Sequence, residues 1–144
     1  MSQENVELVR RLYEWMAAGD TDRAFEAYAP EIEWDVTRAP WLLELGFAPI
    51  VRGQDELRRS LKGWLDAWES IEYRPAELVD AGDHVVAFVD VTARGRASGV
   101  SVAYDHPQVW TIRDGKVVRM RVFADRAQAL EAVGLSEQDA HADS

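Results

Sequence analysis

The sequence predicts an α+β fold, in which a mostly antiparallel sheet is covered on one face by helices. Three successive segments, 83–94, 98–112 and 116–124, are dense in Val, Phe, Tyr, Trp and Thr and predict adjacent strands. Glycine-containing turns separate these segments, and amphipathic segments precede and follow them. We therefore expect three helices of the N-terminal half to cover one face of the sheet and a short helix to follow it.

The N-terminal third predicts two helices followed by a strand. Residues 3–18 place their apolar side chains on one half of a 3.6-residue wheel, and a glycine and an aspartate follow them. Asp20 or Thr21 can cap a second helix that runs to about Tyr28, before Pro30. Residues 31–36 alternate between apolar and acidic side chains, which is typical of a half-buried strand.

The middle of the chain predicts a long apolar loop, a third helix and an edge strand. Residues 37–52 lack periodicity but are strongly apolar, so the loop either plugs the open end of the sheet or forms a lid over a cavity. Residues 53–69 predict a helix, and Pro75 within the strand 71–79 indicates an edge position or a bulge. The buried stripe of that helix is expected to comprise Leu57, Leu61, Trp64, Leu65 and Trp68.

Residues 126–133 predict the short C-terminal helix, which Gly134 closes. We expect one domain over residues 1–135, because a chain of 144 residues has the size of a single domain. The remaining residues 136–144 are acidic and small, and we expect them to be disordered.

The turn at Asp114-Gly115 decides which residues share a face of the sheet, because side chains alternate along a strand. A two-residue turn would pair Arg113 with Lys116 and place Trp110 opposite Arg119, which divides the apolar residues between the faces. A three-residue turn with Gly115 as a bulge shifts the pairing by one residue. We choose this second register, because Trp110 then shares a face with Met120.

The preceding turn, with Arg94 paired to Ala97, predicts that the same apolar face continues through Val89 and Val102. His106 and Gln108 are the polar interruptions of this face, and each needs a hydrogen-bond partner. The opposite face is expected to be solvated or to contact a second subunit. We expect a homodimer through the part that bears Phe88, Asp90 and Ala103; the other residues of that face are His84, Ser101, Thr111, Arg119 and Arg121.

Composition excludes several classes of function. A net charge of −10 argues against nucleic-acid binding and against binding to anionic membranes, both of which require a basic surface. The chain has no cysteine, no basic-then-apolar leader and no apolar run of membrane-spanning length, so we expect a cytoplasmic protein. The three histidines lack metal-ligand spacing, and there is no glycine-rich phosphate loop, so we expect neither a metal nor another cofactor.

Several turn and cap motifs together span nearly the whole chain. They are Gly19-Asp20, Tyr28-Ala-Pro-Glu-Ile-Glu-Trp34, Arg52-Gly53, Asp80-Ala-Gly-Asp83, Gly95-Arg-Ala-Ser-Gly99 and Trp110-Thr-Ile-Arg-Asp-Gly-Lys116. In this order the chain resembles the nuclear-transport-factor-2-like (NTF2-like) superfamily, and in particular its SnoaL-like branch. The resemblance implies a cone-shaped fold, in which a curved mixed, mostly antiparallel sheet carries three N-terminal helices on its concave face. It also implies a cavity between these helices and the sheet.

The NTF2-like superfamily, which the chain resembles, includes ketosteroid isomerases, polyketide cyclases and epoxide hydrolases. It also includes members that only bind a ligand or dimerise. A ketosteroid isomerase would carry a tyrosine at Leu12, a base aspartate at Val36 and a second acid at Gln108, and this chain has none of them. Isomerase chemistry of that type would therefore require Asp35 or Tyr13 to substitute after a one-residue shift.

His106 is the candidate general acid or base, because it is the titratable residue that the register places on the inner wall of the sheet. The alternative is a histidine that is hydrogen-bonded within the wall or exposed at the rim of the strand beside Pro107. Asp35 is the second catalytic candidate, although the strand alternation points it away from the apolar side. We expect the ligand-binding residues to be Tyr13, Trp34, Trp64, Trp68, Gln108, Trp110 and Met120.

These observations predict that the protein binds a small hydrophobic molecule in an aromatic-lined cavity, and two functions are compatible with that. One is a cofactor-independent isomerase, cyclase, hydratase or epoxide hydrolase that uses His106 for proton transfer. The other is a non-catalytic module for dimerisation or ligand binding. The density of polar groups in the cavity separates them, because catalysis requires several converging polar groups.

Overall fold

The computed structural model describes residues 2–139 and confirms the α+β class. One six-stranded sheet has the strand order β2-β1-β6-β5-β4-β3, in which β1 runs parallel to β6 and all other neighbours are antiparallel. The helices and the curved sheet form the cone expected from the sequence. The elements are α1 (Ser2–Ala17), α2 (Thr21–Glu26), β1 (Tyr28–Asp35), α3 (Pro40–Glu44), β2 (Ile50–Arg52), α4 (Gln54–Asp66), β3 (Trp68–Ala81), β4 (His84–Gly95), β5 (Ser101–Arg113), β6 (Lys116–Val122) and α5 (Arg126–Glu131).

The N-terminal helices bury their apolar stripes against the sheet and form the main core. Val9 and Leu12 of α1 are fully buried, as is Leu57 of α4. Asp20 caps α2 by accepting a hydrogen bond from the backbone N–H of Arg23 at 3.3 Å. This cap fixes the turn between α1 and α2, as the sequence predicts.

Helix α4 ends earlier than the sequence indicates, and this corrects the predicted place of two residues. Trp68 begins β3 and therefore does not belong to the helical stripe, while Leu65 is 40% exposed. Arg96, from the turn after β4, donates to the backbone carbonyls of Asp66 at 3.0 Å and Trp68 at 3.2 Å. These bonds satisfy the carbonyl of the last residue of α4 and that of the first residue of β3, and no pattern local to the helix could have revealed them.

The apolar segment 37–52 contains two short elements, α3 and β2, instead of an irregular loop. β2 pairs with β1, and Ala39, Leu42 and Val51 are buried in the main core. The segment thus contributes buried side chains to the main core, and its role as a plug or as a lid stays a prediction.

The pairing of β5 with β6 places Trp110 directly opposite Met120, as predicted, but the cause differs from the expected one. The turn is the two-residue type, with Arg113 paired to Lys116 and with positive φ at both Asp114 (53°) and Gly115 (74°). The one-residue shift comes from a bulge on β6, where Val118 lies between the residues that pair with Ile112 and Thr111. The predicted bulge at Gly115 is therefore wrong.

The pairing of β4 with β5 is displaced from the predicted one by four residues. Arg94 pairs with Ser101 across a longer turn, so Val89 lies opposite His106. An even displacement leaves every side chain on its predicted face. Val102, however, is 38% exposed and not buried as expected, because it lies where the strands extend beyond the helices.

Strand β3 lies at the edge of the sheet and has a bulge after Pro75. Both the edge position and the bulge that this proline indicated are therefore confirmed.

Part of the convex face of the sheet is covered by α5, which forms a second core cluster there. Phe88 is 7% exposed, and the guanidinium of Arg126 lies 3.8 Å from the centroid of its ring. Phe88 therefore cannot belong to an open subunit-facing surface, whereas Asp90 and Ala103 are exposed. The cluster comprises Val79, Val86, Phe88, Val109, Phe123, Ala129 and Leu130.

The described part of the acidic tail, residues 136–139, makes side-chain contacts. Glu137 forms an ion pair with Arg126, with 2.9 Å between Nε and Oε1. Asp139 accepts hydrogen bonds from the backbone N–H and the hydroxyl of Ser136. The disorder predicted for 136–144 otherwise falls on residues outside the described range.

Within residues 2–139, no helix is both long and apolar enough to cross a membrane.

Candidate functional site

A small cavity of about 40 Å³ lies between the helices and the concave face of the sheet. Strand β5 supplies its polar wall, because alternation along the strand points His106, Gln108 and Trp110 to the same side. Tyr13 reaches this wall from α1. The other lining residues are Met16, Trp34, Val36, Leu42, Phe47, Leu61, Trp64, Tyr73 and Val122.

The polar groups of this wall form one continuous chain of hydrogen bonds. The indole N–H of Trp110 donates to Oε1 of Gln108 at 2.9 Å, and the hydroxyl of Tyr13 donates to the same oxygen. The indole also lies 3.3 Å from the oxygen of Tyr13. On the other side of the amide, Nε2 of Gln108 lies 3.0 Å from Nδ1 of His106. All four side chains are buried.

The chain of hydrogen bonds fixes the protonation of His106. An indole N–H can only donate, so the amide group that faces Trp110 must be the oxygen. The amide nitrogen of Gln108 then faces His106 and donates to Nδ1, which must be unprotonated. The single proton of the neutral imidazole therefore resides on Nε2. His106 consequently presents a donor, and its acceptor nitrogen is already in use.

Nε2 of His106 is buried and has no hydrogen-bond partner among residues 2–139. Burial also lowers the pKa of His106 to about 3, because the charged imidazolium loses its hydration in this apolar surrounding. The ring is neutral at neutral pH. It is suited to donating a hydrogen bond to a bound molecule and poorly suited to carrying a proton between two sites.

A larger chamber of about 350 Å³ adjoins the inner cavity and opens between α1, α2, α4 and β3. The two cavities share the side chains of Tyr13, Met16, Leu61, Trp64 and Tyr73. The indole N–H of Trp64 donates to the hydroxyl of Tyr73 at 2.7 Å, which links α4 to β3 at this boundary. Burial raises the pKa of Tyr73 to about 12, so this hydroxyl stays protonated.

The structure brings five of the seven predicted ligand-binding residues to the inner cavity: Tyr13, Trp34, Trp64, Gln108 and Trp110. Met120 is buried opposite Trp110 and does not line the cavity. Trp68 lines a separate surface groove beside the turn after β4. It fails to reach the cavity because it belongs to β3 and not to α4.

Asp35 also lies away from the cavity, which corrects its candidacy as a base. Trp34 lines the cavity, and the next residue of β1 necessarily points to the opposite face. The carboxylate of Asp35 accepts hydrogen bonds from the backbone N–H of Thr37 at 2.8 Å and from its hydroxyl at 2.6 Å. These contacts give it a role in the turn that follows β1.

Several cavity residues were missed by the sequence interpretation. Tyr73 occupies alternate positions with Ile71 on β3, and that alternation was a usable signal. Phe47 and Leu42 come from the aperiodic segment around α3, where no pattern predicts direction. Within the described range, no group of three or more His, Cys, Asp or Glu side chains is arranged to hold a metal ion.

Comparison with known proteins identifies the family. Residues 9–120 match the model of the SnoaL-like domain. The chain belongs to the SnoaL-like domain family. This confirms the predicted place in the NTF2-like superfamily, and in its SnoaL-like branch. No curated protein matches the sequence.

Solved structures of SnoaL-like and NTF2-like proteins share the fold over almost their entire length. An NTF2-like protein from Burkholderia xenovorans is 27% identical, with a TM-score of 0.73 over 92% of this chain and 97% of its own. A candidate SnoaL-like polyketide cyclase from Jannaschia is 21% identical, with a TM-score of 0.73 over 92% of this chain and 93% of its own. TerC, co-crystallised with polyporic acid, is 22% identical, with a TM-score of 0.74 over 90% of this chain and 98% of its own.

Proposed function

We propose that this SnoaL-like protein binds a small hydrophobic molecule, which lies in the 350 Å³ chamber and directs its inner end toward His106. The observation that carries the proposal is the buried Nε2–H of His106, which lacks an acceptor within residues 2–139. A buried donor without a partner costs about 1–3 kcal/mol, and a ligand acceptor would remove that cost. The aromatic walls supply the apolar contact.

Binding is the function that this geometry supports better than proton-transfer catalysis. His106 is neutral, and its Nδ1 is occupied by Gln108. No carboxylate lines the inner cavity among the described residues, so an isomerase, cyclase or hydratase would lack a base there. The co-crystallisation of TerC with polyporic acid is consistent with a small-molecule site in this fold.

The test is binding of N-phenyl-1-naphthylamine, an apolar probe whose fluorescence rises in an apolar site. We expect saturable binding by the wild-type protein and at least a tenfold weaker affinity for Ala17→Trp. Ala17 is exposed at the end of α1 and lines the chamber, so a large side chain there obstructs the chamber without disturbing the core. Ala18→Trp is the matched control, because Ala18 is equally exposed and does not line the chamber.

Failure of the wild-type protein to bind the probe would contradict the proposal, and so would equal binding by Ala17→Trp and Ala18→Trp. Native mass spectrometry of the purified protein provides an independent measurement, since a co-purified ligand would appear as a discrete mass increment. The ligand identified in that way would also distinguish a binding protein from an enzyme.

We also propose a homodimer through the part of the convex face that α5 leaves open. Asp90 and Ala103 are exposed there, on the strands β4 and β5. An open sheet face with few large side chains can accommodate the same face of a second copy. Sedimentation equilibrium at micromolar concentration should give twice the chain mass for the wild type and a monomer for Ala103→Arg. A wild-type monomer would contradict this interface.

A further inference from the structure

A group of basic and polar side chains lies on the convex face of the sheet, beside the part that α5 covers. Thr111 of β5 lies opposite His84 of β4 and opposite Arg119 of β6, and Arg121 follows two residues later on β6. Met120, between the two arginines, is buried in the main core, so both arginines point to the convex side. We call His84, Thr111, Arg119 and Arg121 the arginine cluster.

The two arginines lack the partners that half-buried arginines need. Nε of Arg119 and Nε of Arg121 are buried, and neither has a hydrogen-bond acceptor among the described residues. The guanidinium of Arg121 forms no hydrogen bond or ion pair within residues 2–139 and lies 5.4 Å from the ring centroid of Phe123. Arg119 has one long ion pair, with 3.9 Å between Nε and Oε2 of Glu33. Arginine is rarely withdrawn from water without a partner, so the cluster is short of acceptors.

The carboxylates on the neighbouring strand β1 are engaged elsewhere. Glu33 accepts a hydrogen bond from Nε of Arg52 at 3.2 Å. Asp35 accepts from the backbone N–H of Thr37 at 2.8 Å and from its hydroxyl at 2.6 Å. Neither carboxylate accepts a hydrogen bond from the cluster in the part of the chain that the structure describes. The positive charge of the cluster is therefore incompletely neutralised.

The electrostatics of the cluster agree with a missing counter-charge. Burial and then the neighbouring Arg119 lower the pKa of Arg121 below its ordinary value. Burial and then Arg121 likewise lower the pKa of His84, whereas Asp83 acts in the opposite direction. In both cases lost hydration and a nearby like charge disfavour the charged form, and the carboxylates within reach do not compensate. A bound anion would favour the charged form of both groups.

The pair of His84 and Thr111 adds a further donor. Nδ1 of His84 lies 2.9 Å from Oγ1 of Thr111. If the imidazole donates to the hydroxyl oxygen, the hydroxyl hydrogen remains available. If the hydroxyl donates to Nδ1, the proton of the neutral ring is on Nε2 and is available instead. The pair therefore keeps one donor for a ligand in either tautomer.

The spacing of the cluster fits a small oxyanion with several oxygens. Two residues apart on a strand, Arg119 and Arg121 have Cα atoms about 7 Å apart, within reach of one anion for both long side chains. The planar fork of a guanidinium matches two oxygens of a phosphate. A carboxylate has only two oxygens, whereas a phosphate group has enough for both arginines and for the donor of the His84–Thr111 pair.

We propose that the arginine cluster is a binding site for a phosphate group, either as the free anion or as part of an organic phosphate. The site is separate from the proposed ligand site, because none of the four residues lines the inner cavity or the chamber. The net charge of −10 repels anions from the protein as a whole. Binding must therefore depend on the local charges of Arg119 and Arg121.

The first experiment observes the arginines directly in ¹H–¹⁵N spectra. The Nε–H signals of Arg119 and Arg121, each assigned by its loss in the Arg→Lys variant, should shift saturably with sodium phosphate and with phenyl phosphate. Sodium chloride at the same ionic strength should not produce this shift. Equal affinities for the two phosphates would support the free anion as ligand, and tighter binding of phenyl phosphate would support an organic phosphate.

The second experiment assigns the binding to the cluster. Arg119→Gln and Arg121→Gln should each weaken the affinity for phosphate by about tenfold, because each removes charge-assisted hydrogen bonds. Arg11→Gln is the matched control: it removes the same charge from an exposed position on α1, and the affinity should stay unchanged. The melting temperature of each variant, measured alongside, shows that the variant is folded.

Three results would overturn the inference: no saturable shift in the wild type, an affinity that persists in both glutamine variants, or a role of the cluster in subunit contact. Sedimentation equilibrium detects the last, because conversion of a wild-type dimer to a monomer by Arg121→Gln would mean that the cluster faces a second copy. The proposed function is tested separately, since binding of N-phenyl-1-naphthylamine should be the same in Arg121→Gln and in the wild type.

Discussion

Replacing Gln108 with leucine should destabilise the protein strongly, although the two side chains have similar volume. Gln108 is the centre of the buried hydrogen-bond chain and satisfies Tyr13, Trp110 and His106 at once. In Gln108→Leu, the hydroxyl of Tyr13 loses its acceptor, and Nδ1 of His106 loses its donor. The indole of Trp110 retains only its longer contact of 3.3 Å to Tyr13.

The magnitude follows from the number of groups left without a partner. Two buried groups become unsatisfied, at about 1–3 kcal/mol each, so the cost is about 4 kcal/mol. The leucine side chain recovers about 1 kcal/mol of hydrophobic free energy. The free energy of unfolding should therefore fall by about 3 kcal/mol, which corresponds to a melting temperature lower by about 10 °C for a domain of this size.

Urea unfolding followed by tryptophan fluorescence measures this change, and a double-mutant cycle tests its cause. Tyr13→Phe alone should cost about 1 kcal/mol, because Oε1 of Gln108 still accepts from Trp110. In the Gln108→Leu background, Tyr13→Phe should be close to neutral, because it removes a hydroxyl that has lost its acceptor but also removes the last acceptor of the Trp110 indole, and the two effects offset each other. Gln128→Leu is the control, because Gln128 is exposed, and this substitution should leave the free energy of unfolding nearly unchanged.

The reasoning is refuted if Tyr13→Phe has the same cost in both backgrounds. Additivity would mean that the bond between Tyr13 and Gln108 contributes nothing to stability.

Three further predictions follow from the fold. The pKa of His106 is about 3 in the folded protein and about 6.5 in the unfolded chain, so between these pH values the unfolded chain binds one more proton than the folded one. The free energy of unfolding should therefore fall as pH decreases through this window, by up to about 1.4 kcal/mol per pH unit. His106→Gln should remove this part of the pH dependence. Asp125→Ala should lower the free energy of unfolding in urea by about 1 kcal/mol, because the carboxylate of Asp125 caps α5 by accepting a hydrogen bond from the N–H of Gln128 at 2.9 Å. Asp125→Asn should retain most of the wild-type stability, because the asparagine side chain can still cap the helix. Deleting Val118 should remove the bulge and leave Trp110 opposite Met120, with a near-native circular dichroism spectrum, whereas unfolding by this deletion would show that the bulge is required.

The fold could be predicted from the sequence because its strongest signals are local. Alternation along β4, β5 and β6 identified the apolar face, and the two errors of register changed it only next to the last turn, where Val117 and not Val118 is buried in the main core. The displacement between β4 and β5 was even, and the shift between β5 and β6 was right in size although it arises at Val118 and not at Gly115. Face assignment therefore depends on parity and tolerates a wrong turn.

The candidate site was predictable only in part, because its decisive features depend on contacts between distant segments. His106 and Gln108 were identified as polar interruptions of an apolar face. Their hydrogen bond and the resulting tautomer depend on the indole of Trp110 and on Tyr13 of α1. The end of α4 likewise depends on Arg96, and Trp68 was misplaced for that reason. Phe47 lies in an aperiodic segment, where sequence indicates burial without direction.

The parallel pairing of β1 with β6 has a consequence for synthesis of the chain on the ribosome. β1 can pair with β2 as soon as both have emerged, but a two-stranded ribbon is marginal in water. Its second neighbour, β6, emerges after every other strand of the sheet. The pair of β1 and β2 therefore stays separate from the other strands until β6 has emerged, and its apolar face stays open to chaperones during that interval.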